Sequence, residues 1–263
     1  MWLEEEKSII YANYGKIPIK DLRLLLPNKS ATSISKYASD HKLKGNQSLS
    51  RRRFTFDKDY FSTPNLDNCY WAGFIAADGC LSKDGSVIIT LQKTDLCILE
   101  AFKKAIQFSG DIKYVKTNKT IAVNRQDQYK ISVFGAYKWH EDLNNIWNIT
   151  PNKTYTLKPP NQIINNELAY SFLIGFFDGD GCWESYNKNG YQKYIFSLSG
   201  THKMMLWCSK IIEEIIGKKE EYSYVYKKGN HYIYKLSNKK AYELREKLKL
   251  VNTSFKLPRK WEN

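Results

Sequence analysis

The chain has 263 residues, 42% of them hydrophobic, which allows one large domain or two to three small ones around a sizeable core. A net charge of +14 favours a polyanionic partner, and the absence of both a signal peptide and an apolar run near the ~20 residues that span a bilayer makes nucleic acid a better expectation than lipid. Five scattered cysteines (Cys69, Cys80, Cys97, Cys182, Cys208) form no CxxC and read as reduced core or near-core thiols of a cytoplasmic, nucleoid-associated or organellar-matrix protein that is not secreted; the four histidines form no zinc cluster.

The first 45 residues read as three short helices. Helix one, over 3–14, opens on Glu4-Glu5-Glu6, which suits the positive end of a helix, and stops at Gly15. Helix two runs from about Pro18 to Pro27, and helix three follows Asn28 with Ile34, Tyr37 and Ala38 on one side. Trp2-x-x-Glu-Glu and the turn Leu26-Pro27-Asn28-Lys29-Ser30 resemble a helix-turn-helix of Myb or SANT type. That resemblance implies that helix three enters the major groove, with Lys29, Ser30, Ser33 and Lys36 as contacts; the bland alternative is a helical bundle that only packs on its neighbour. Residues 46–65 read as a linker, and its Arg51-Arg52-Arg53 is suited to phosphates.

A helix is expected to lead into Trp71–Gly79, WAGFIAADG, through Leu66, Tyr70, Gly73, Phe74 and Ala77 at helical spacing. There follow a strand over Ser86–Gln92, a helix over 95–107, strands over 111–115, 120–123 and 129–134, and a helix over 137–147. The half closes on Asn152-Lys153-Thr154-Tyr155-Thr156-Leu157 and Pro159-Pro160, giving a unit over 66–160. The unit over 161–263 repeats the order. Asn165 or Asn166 caps a helix into Leu173–Gly181, LIGFFDGDG, and a strand over 191–199 and a helix over 203–216 come next. A hairpin around Lys228-Gly229-Asn230, a helix over 241–248 and the closing Asn252-Thr253-Ser254-Phe255-Lys256-Leu257-Pro258 complete it.

The two nine-residue stretches are the informative feature. Their small residues (Ala72, Gly73, Ala76, Ala77; Gly175, Gly179) bare one face of each helix for close approach. Glycine inside a helix costs ~1 kcal/mol against alanine, so contact must repay it. Gly79 and Gly181 stand where helices commonly stop. Asp78 and Asp180 therefore lie at the negative ends of two helices, an arrangement that calls for a cation between them. A hard divalent ion with oxygen ligands fits. Asp178-Gly179-Asp180-Gly181 lacks the downstream ligand spacing of a calcium loop.

Both stretches resemble the signature helix of the LAGLIDADG homing endonucleases in their single-chain, two-motif form, over roughly residue 67 to the end. The resemblance implies an α+β fold, two αββαββα halves related by a pseudo-twofold axis and forming a DNA-binding saddle, here behind the three-helix domain. It implies a site-specific DNA endonuclease that uses Mg²⁺, acts as a monomer on a long, mostly asymmetric duplex target and leaves short 3′ overhangs. The catalytic acids fall on Asp78 and Asp180; the metal set adds the preceding residues, Ala77 and Gly179. The sixth position, often acidic in the family, is Ala76 in one copy and Asp178 in the other, so Ala76 is expected to loosen the end of its helix. Gln92 corresponds to a polar residue that organises solvent at the metals, and Lys153 to an active-site lysine. Ser199-Gly200-Thr201 offers no long polar side chain at Gly200, and aligning Leu157 with Leu257 sets Thr253 opposite Lys153, so the site is expected to be asymmetric. Strand-face contacts to DNA are expected from Lys83, Lys113, Lys116, Arg125, Gln128 and Lys130, and from Lys188, Gln192, Lys193, Lys227, Lys228 and Lys235. Two other readings share these features: an intron RNA maturase on the same scaffold, and a non-cleaving DNA-binding regulator.

Overall fold

The computed structural model describes residues 2–44, 54–117, 126–163, 165–217 and 225–262. It is an α+β protein with two four-stranded antiparallel sheets.

The leading helices are α1 (Glu4–Asn13), α2 (Ile19–Leu25) and α3 (Ala31–Asp40). Their apolar faces close on a core of their own, Ile10, Leu22, Leu26, Ile34, Tyr37 and Ala38. Gly15, at φ 79°, supplies the left-handed turn that ends the first helix. Ser30 caps α3 by accepting the Ser33 N–H at 3.1 Å.

The order α4 (Leu66–Asp78), β1 (Gly79–Ser82), β2 (Ser86–Gln92), α5 (Leu96–Ala105), β3 (Lys113–Val115), β4 (Gln128–Val133), α6 (Tyr137–Asn145) is then repeated. The second set is α7 (Asn166–Asp180), β5 (Gly181–Lys188), β6 (Tyr191–Gly200), α8 (His202–Ile216), β7 (Val225–Lys228), β8 (His231–Ser237), α9 (Lys239–Leu250). A short helix α10 (Pro258–Trp261) follows, which the sequence pattern does not announce. The sheets run β1-β2-β4-β3 and β5-β6-β8-β7. The expected strand over 120–123 lies outside the described residues. The αββαββα resemblance implies strands β1 and β5, while residue patterning alone marked neither: each starts on the glycine after the motif aspartate, and in β1 Gly-Cys-Leu-Ser is too short and too poor in β-branched residues to signal a strand.

One core spans both halves. It also takes in Phe56 and Phe61, while the Trp139 and Trp147 indoles donate to the Asp57 and Phe61 carbonyls at 2.8 and 3.1 Å. Residues 54–62, expected in a linker, are thus packed into the body by their aromatic side chains.

At the centre α4 and α7 lie against each other. Both start on an asparagine: Asn65 accepts from the Asp67 and Asn68 amides at 2.9 and 3.0 Å, and Asn165 from the Leu168 amide at 2.9 Å. Gly73 and Gly175 have no room for a side chain. A β-carbon on Gly73 would stand 2.1 Å from the Phe172 carbonyl oxygen, and one on Gly175 1.9 Å from that of Tyr70. The helices meet backbone to backbone. Gly79 and Gly181 stand where the two helices stop, as expected, but not because the backbone there turns left-handed. Their φ angles, −75° and −93°, suit any residue. Room decides instead: β-carbons there would strike Ile75 at 2.7 Å and the Phe177 ring at 2.0 Å.

Candidate active site

The contact of α4 with α7 sets the ends of both helices side by side. A β-carbon on Gly179 would lie 2.3 Å from the Ala77 β-carbon and 3.4 Å from Asp78 Oδ2, so the first aspartate reaches across to the residue next to the second. Both aspartates are exposed, and neither carboxylate receives a hydrogen bond among the described residues. Protein nevertheless surrounds them on most sides, and this desolvation raises both above the ordinary carboxylate range. For Asp78 the charges of Lys260 and Lys153 oppose the rise. Asp180 is pushed up to about 6, by desolvation first and the Asp78 charge second.

Two lysines close the helix ends. Lys153, on a turn of 3₁₀ helix over Lys153–Tyr155, donates to the Ala77 carbonyl at 3.0 Å. Lys260, on α10, donates to the carbonyls of Phe177 (2.9 Å), Asp178 (2.8 Å) and Gly181 (2.6 Å), with that of Gly179 at 3.4 Å. A cation at a helix C-terminus offsets the dipole and meets its unpaired carbonyls. Burial lowers both ammonium groups; Asp180 and Asp78 oppose this at Lys153, Asp178 and Asp78 at Lys260.

The alignment that set Thr253 opposite Lys153 is corrected here. Thr253 Oγ1 is 2.8 Å from Ser171 Oγ, near the middle of α7, and Lys260 takes the corresponding place. It was missed because it follows Leu257 by three residues, whereas Lys153 precedes Leu157 by four; a chain-order alignment cannot superpose them.

The sixth motif positions have separate roles. Asp178 is buried and accepts from the Tyr70 hydroxyl (2.7 Å), the Leu257 amide (2.8 Å) and the Trp261 indole (2.7 Å), tying α7 to α4 and to the tail that carries Lys260. Burial raises its carboxyl against those hydrogen bonds. Ala76 makes no such ties, yet α4 remains helical through Asp78. Beside it is a cavity of about 360 Å³ whose lining includes Lys153, Asp180, Gly200 and His231.

Gln92 ends β2, exposed and opposite Gln128. Strand register makes Thr201 its counterpart, since Gly79 faces Ile89 and Gly181 faces Leu198, three residues before each. Thr201 caps α8 and donates to the Leu157 carbonyl at 2.6 Å. Among the cysteines, all free, Cys69 and Cys208 are buried; Cys80 and Cys182, directly after the two motifs, are exposed rather than in the core.

Strand register sorts the expected DNA contacts. Lys130, Gln128 and Lys113 share the sheet face turned away from the core with Cys80, Ile88 and Thr90. On the second sheet Lys188, Lys193, Lys228 and Lys235 share that face with Cys182. Gln192 and Lys227 belong to the opposite face. Lys83 and Lys116 are exposed beyond strand ends. On the front unit Lys36 is exposed, but Lys29 pairs with Glu6 at 3.0 Å and lies 4.9 Å from the Trp2 ring centre, inside the bundle. Ser30 and Ser33 are joined in the cap of α3. Arg51, Arg52, Arg53 and Arg125 lie outside the described residues.

No family profile matches the chain. An uncharacterized protein of Methanocaldococcus jannaschii, MJ0314, is 29% identical over 172 residues, which cover 64% of this chain; the chain spans 60% of that relative's length. Three solved structures are similar at low identity. The I-LtrWI LAGLIDADG homing endonuclease bound to target DNA shares 13% identity at a TM-score of 0.45, over 78% of this chain and 88% of that one. The LAGLIDADG homing endonuclease I-GzeII in complex with its DNA target shares 14% at 0.45, over 75% and 84%. The N-terminal LAGLIDADG domain of WhiA shares 14% at 0.44, over 81% and 90%.

Proposed function

We propose that this chain is a site-specific DNA endonuclease of the LAGLIDADG type, hydrolysing both strands of a long, mostly asymmetric duplex target as a monomer. The observation that carries the reading is the convergence of Asp78 and Asp180 at the ends of two helices in backbone contact, each end closed by a lysine.

The donor set fits Mg²⁺. Two carboxylates that receive no hydrogen bond among the described residues, at two negative helix ends, are hard oxygen ligands that a divalent cation matches, and Mg²⁺ keeps several waters when few carboxylates hold it. The Ala77 carbonyl, although Lys153 donates to it, retains a second lone pair, as does that of Gly179. A cation held there supplies Lewis acidity to the phosphate and an acidified water. In the hydrolysis a water oxygen attacks phosphorus and the bond to the 3′ oxygen breaks, leaving a 3′ hydroxyl and a 5′ phosphate. Lys153 and Lys260 fix the helix ends and hold positive charge beside the phosphate. Lys113, Lys130, Lys188, Lys193, Lys228 and Lys235 position the two DNA arms on the outward sheet faces. The front helices add a further contact through Lys36.

The test is incubation of the full chain with a random duplex library and Mg²⁺, followed by mapping of cut ends. Discrete paired cuts with 3′ overhangs, lost in Asp78→Asn and Asp180→Asn while DNA binding is kept, are expected. Metal-independent binding without cuts would transfer the assignment to a non-cleaving regulator; selective binding of a folded intron RNA would transfer it to a maturase.

A further inference from the structure

The two halves differ on the outward side of the sheets, at the strand ends near the acids. On the first sheet Gln92 and Gln128 face each other there, two long amides side by side. The register of the second sheet, carried one step past Gly200 and Tyr232, puts Thr201 and His231 in their places. Thr201 is engaged: its hydroxyl accepts from the Met204 amide at 3.3 Å and donates to the Leu157 carbonyl at 2.6 Å. His231 is exposed, and its ring meets no hydrogen-bond partner among the described residues. It pairs across the strands with Lys228 and shares the outward face of β8 with Lys235, since alternate residues of a strand point the same way. A turn of only Gly229 and Asn230, with Gly229 at φ 59°, joins β7 to β8 and fixes where the ring stands.

His231 also stands in the wall of the cavity of about 360 Å³ that Asp180 and Lys153 line. Small residues open this room. Ala76 and Gly200 border it, and their counterparts in the repeat are Asp178 and Leu91, whose side chains are buried. The space takes a phosphate group and several waters. In either neutral tautomer an imidazole keeps one N–H to donate to an anionic oxygen. We propose that His231 is a phosphate-positioning residue: it donates to one backbone phosphate of duplex DNA and holds it beside Asp180, the place that the first half fills with Gln92 and Gln128 for the other strand. This contact presupposes the duplex DNA proposed above, not its hydrolysis.

The test uses a duplex selected for binding to the full chain, with single phosphates of either strand replaced in turn by neutral methylphosphonates. Affinity is read by fluorescence anisotropy in EDTA, so that neither metal nor cutting enters. In the parent, neutralising one central phosphate is expected to weaken binding about tenfold. His231→Ala, at an unchanged melting temperature, is expected to weaken binding of the unmodified duplex about tenfold and to remove most of the effect of that one phosphate, the coupling that a double-mutant cycle isolates. His231→Gln, which returns a donor of the Gln128 type, should recover most of the coupling. With Mg²⁺ added, His231→Ala should slow cutting of the coupled strand about tenfold and let the nicked duplex accumulate. The proposal is overturned if no phosphate couples to His231, if the coupling is spread over both strands, if His231→Gln behaves as His231→Ala does, or if the strand slowed is not the strand coupled. A parent that binds duplex but cuts neither strand removes the nuclease reading alone and leaves the coupling to decide the contact; a parent that binds no duplex overturns both.

Discussion

Replacing Gly175 by alanine tests the central contact, because two effects of opposite sign compete there. In an isolated helix the change stabilises by ~1 kcal/mol. Here the new β-carbon would sit 1.9 Å from the Tyr70 carbonyl oxygen and 2.8 Å from its carbon, both backbone atoms. Ordinary contact begins near 3.4 Å, so the helices must part by about 1.5 Å, and gaps of even 0.5–1 Å forfeit roughly a quarter to a half of the dispersion energy across them. Overpacking of this kind costs up to ~3 kcal/mol. The net expectation is a loss of ~2 kcal/mol, which at roughly 2–4 °C per kcal/mol lowers Tm by about 4–8 °C. Urea unfolding monitored by tryptophan fluorescence, with calorimetry as a check, measures it. Gly73→Ala should behave alike, and the double variant should lose less than the sum, because helices already parted do not clash twice. A Gly175→Ala protein as stable as the parent, or more so, would refute the described contact.

Asp178→Asn removes one of the two acceptor oxygens that serve three donors and points an amide at them; a loss of about 3 kcal/mol, with faster proteolysis of residues 251–262, is expected in urea and limited-digestion assays. Lys260→Met strips the end of α7 of its cation and should cost about 2 kcal/mol, whereas Lys153→Met, with one carbonyl partner, should cost less by the same unfolding assay. Asp180 adds a pH signature. Its carboxyl titrates near 6 in the fold against 3.8 for the ordinary group, so between those values the folded state holds the extra proton and metal-free stability falls as pH rises. Urea titrations at about pH 4.5 and pH 7 should therefore show a decline in the parent that is smaller in Asp180→Asn. Lys36→Ala should weaken DNA binding and lower the salt slope by about 1, while Lys29→Ala should destabilise the front helices instead.

The glycines and small residues of the two motifs made the helix contact legible, because nothing else explains paired glycines inside apolar helices. The asparagine caps and most outer elements followed from periodicity. Strand β1 was legible only through the αββαββα resemblance and not in its own four residues, since its backbone pairing is imposed by β2. Lys260 was hidden for a related reason: its role comes from where α10 folds back, and Asp178, in direct contact with that tail but far from it in sequence, fixes the path through Leu257 and Trp261. Lys29 shows the converse error, an apparently free cation that Glu6 and Trp2 draw into the bundle.

The charge balance at the helix ends explains why both lysines stay despite the burial that weakens their ammonium groups. Two carboxylates and two helix termini of about half a charge each place roughly three negative charges in one small region. Lys153 and Lys260 return two, leaving about one in excess. A divalent cation added there leaves the region about one unit positive, matched to a single phosphodiester. Without either lysine the acids would be pushed further toward protonation, as Asp180 already is, and their hold on a cation would weaken. The sign of this argument can be read directly: Lys153→Met should raise the apparent pKa of Asp180, seen by carboxyl NMR titration, because the Lys153 charge opposes the rise; an unchanged pKa would mean that the lysine and the acid do not share a field.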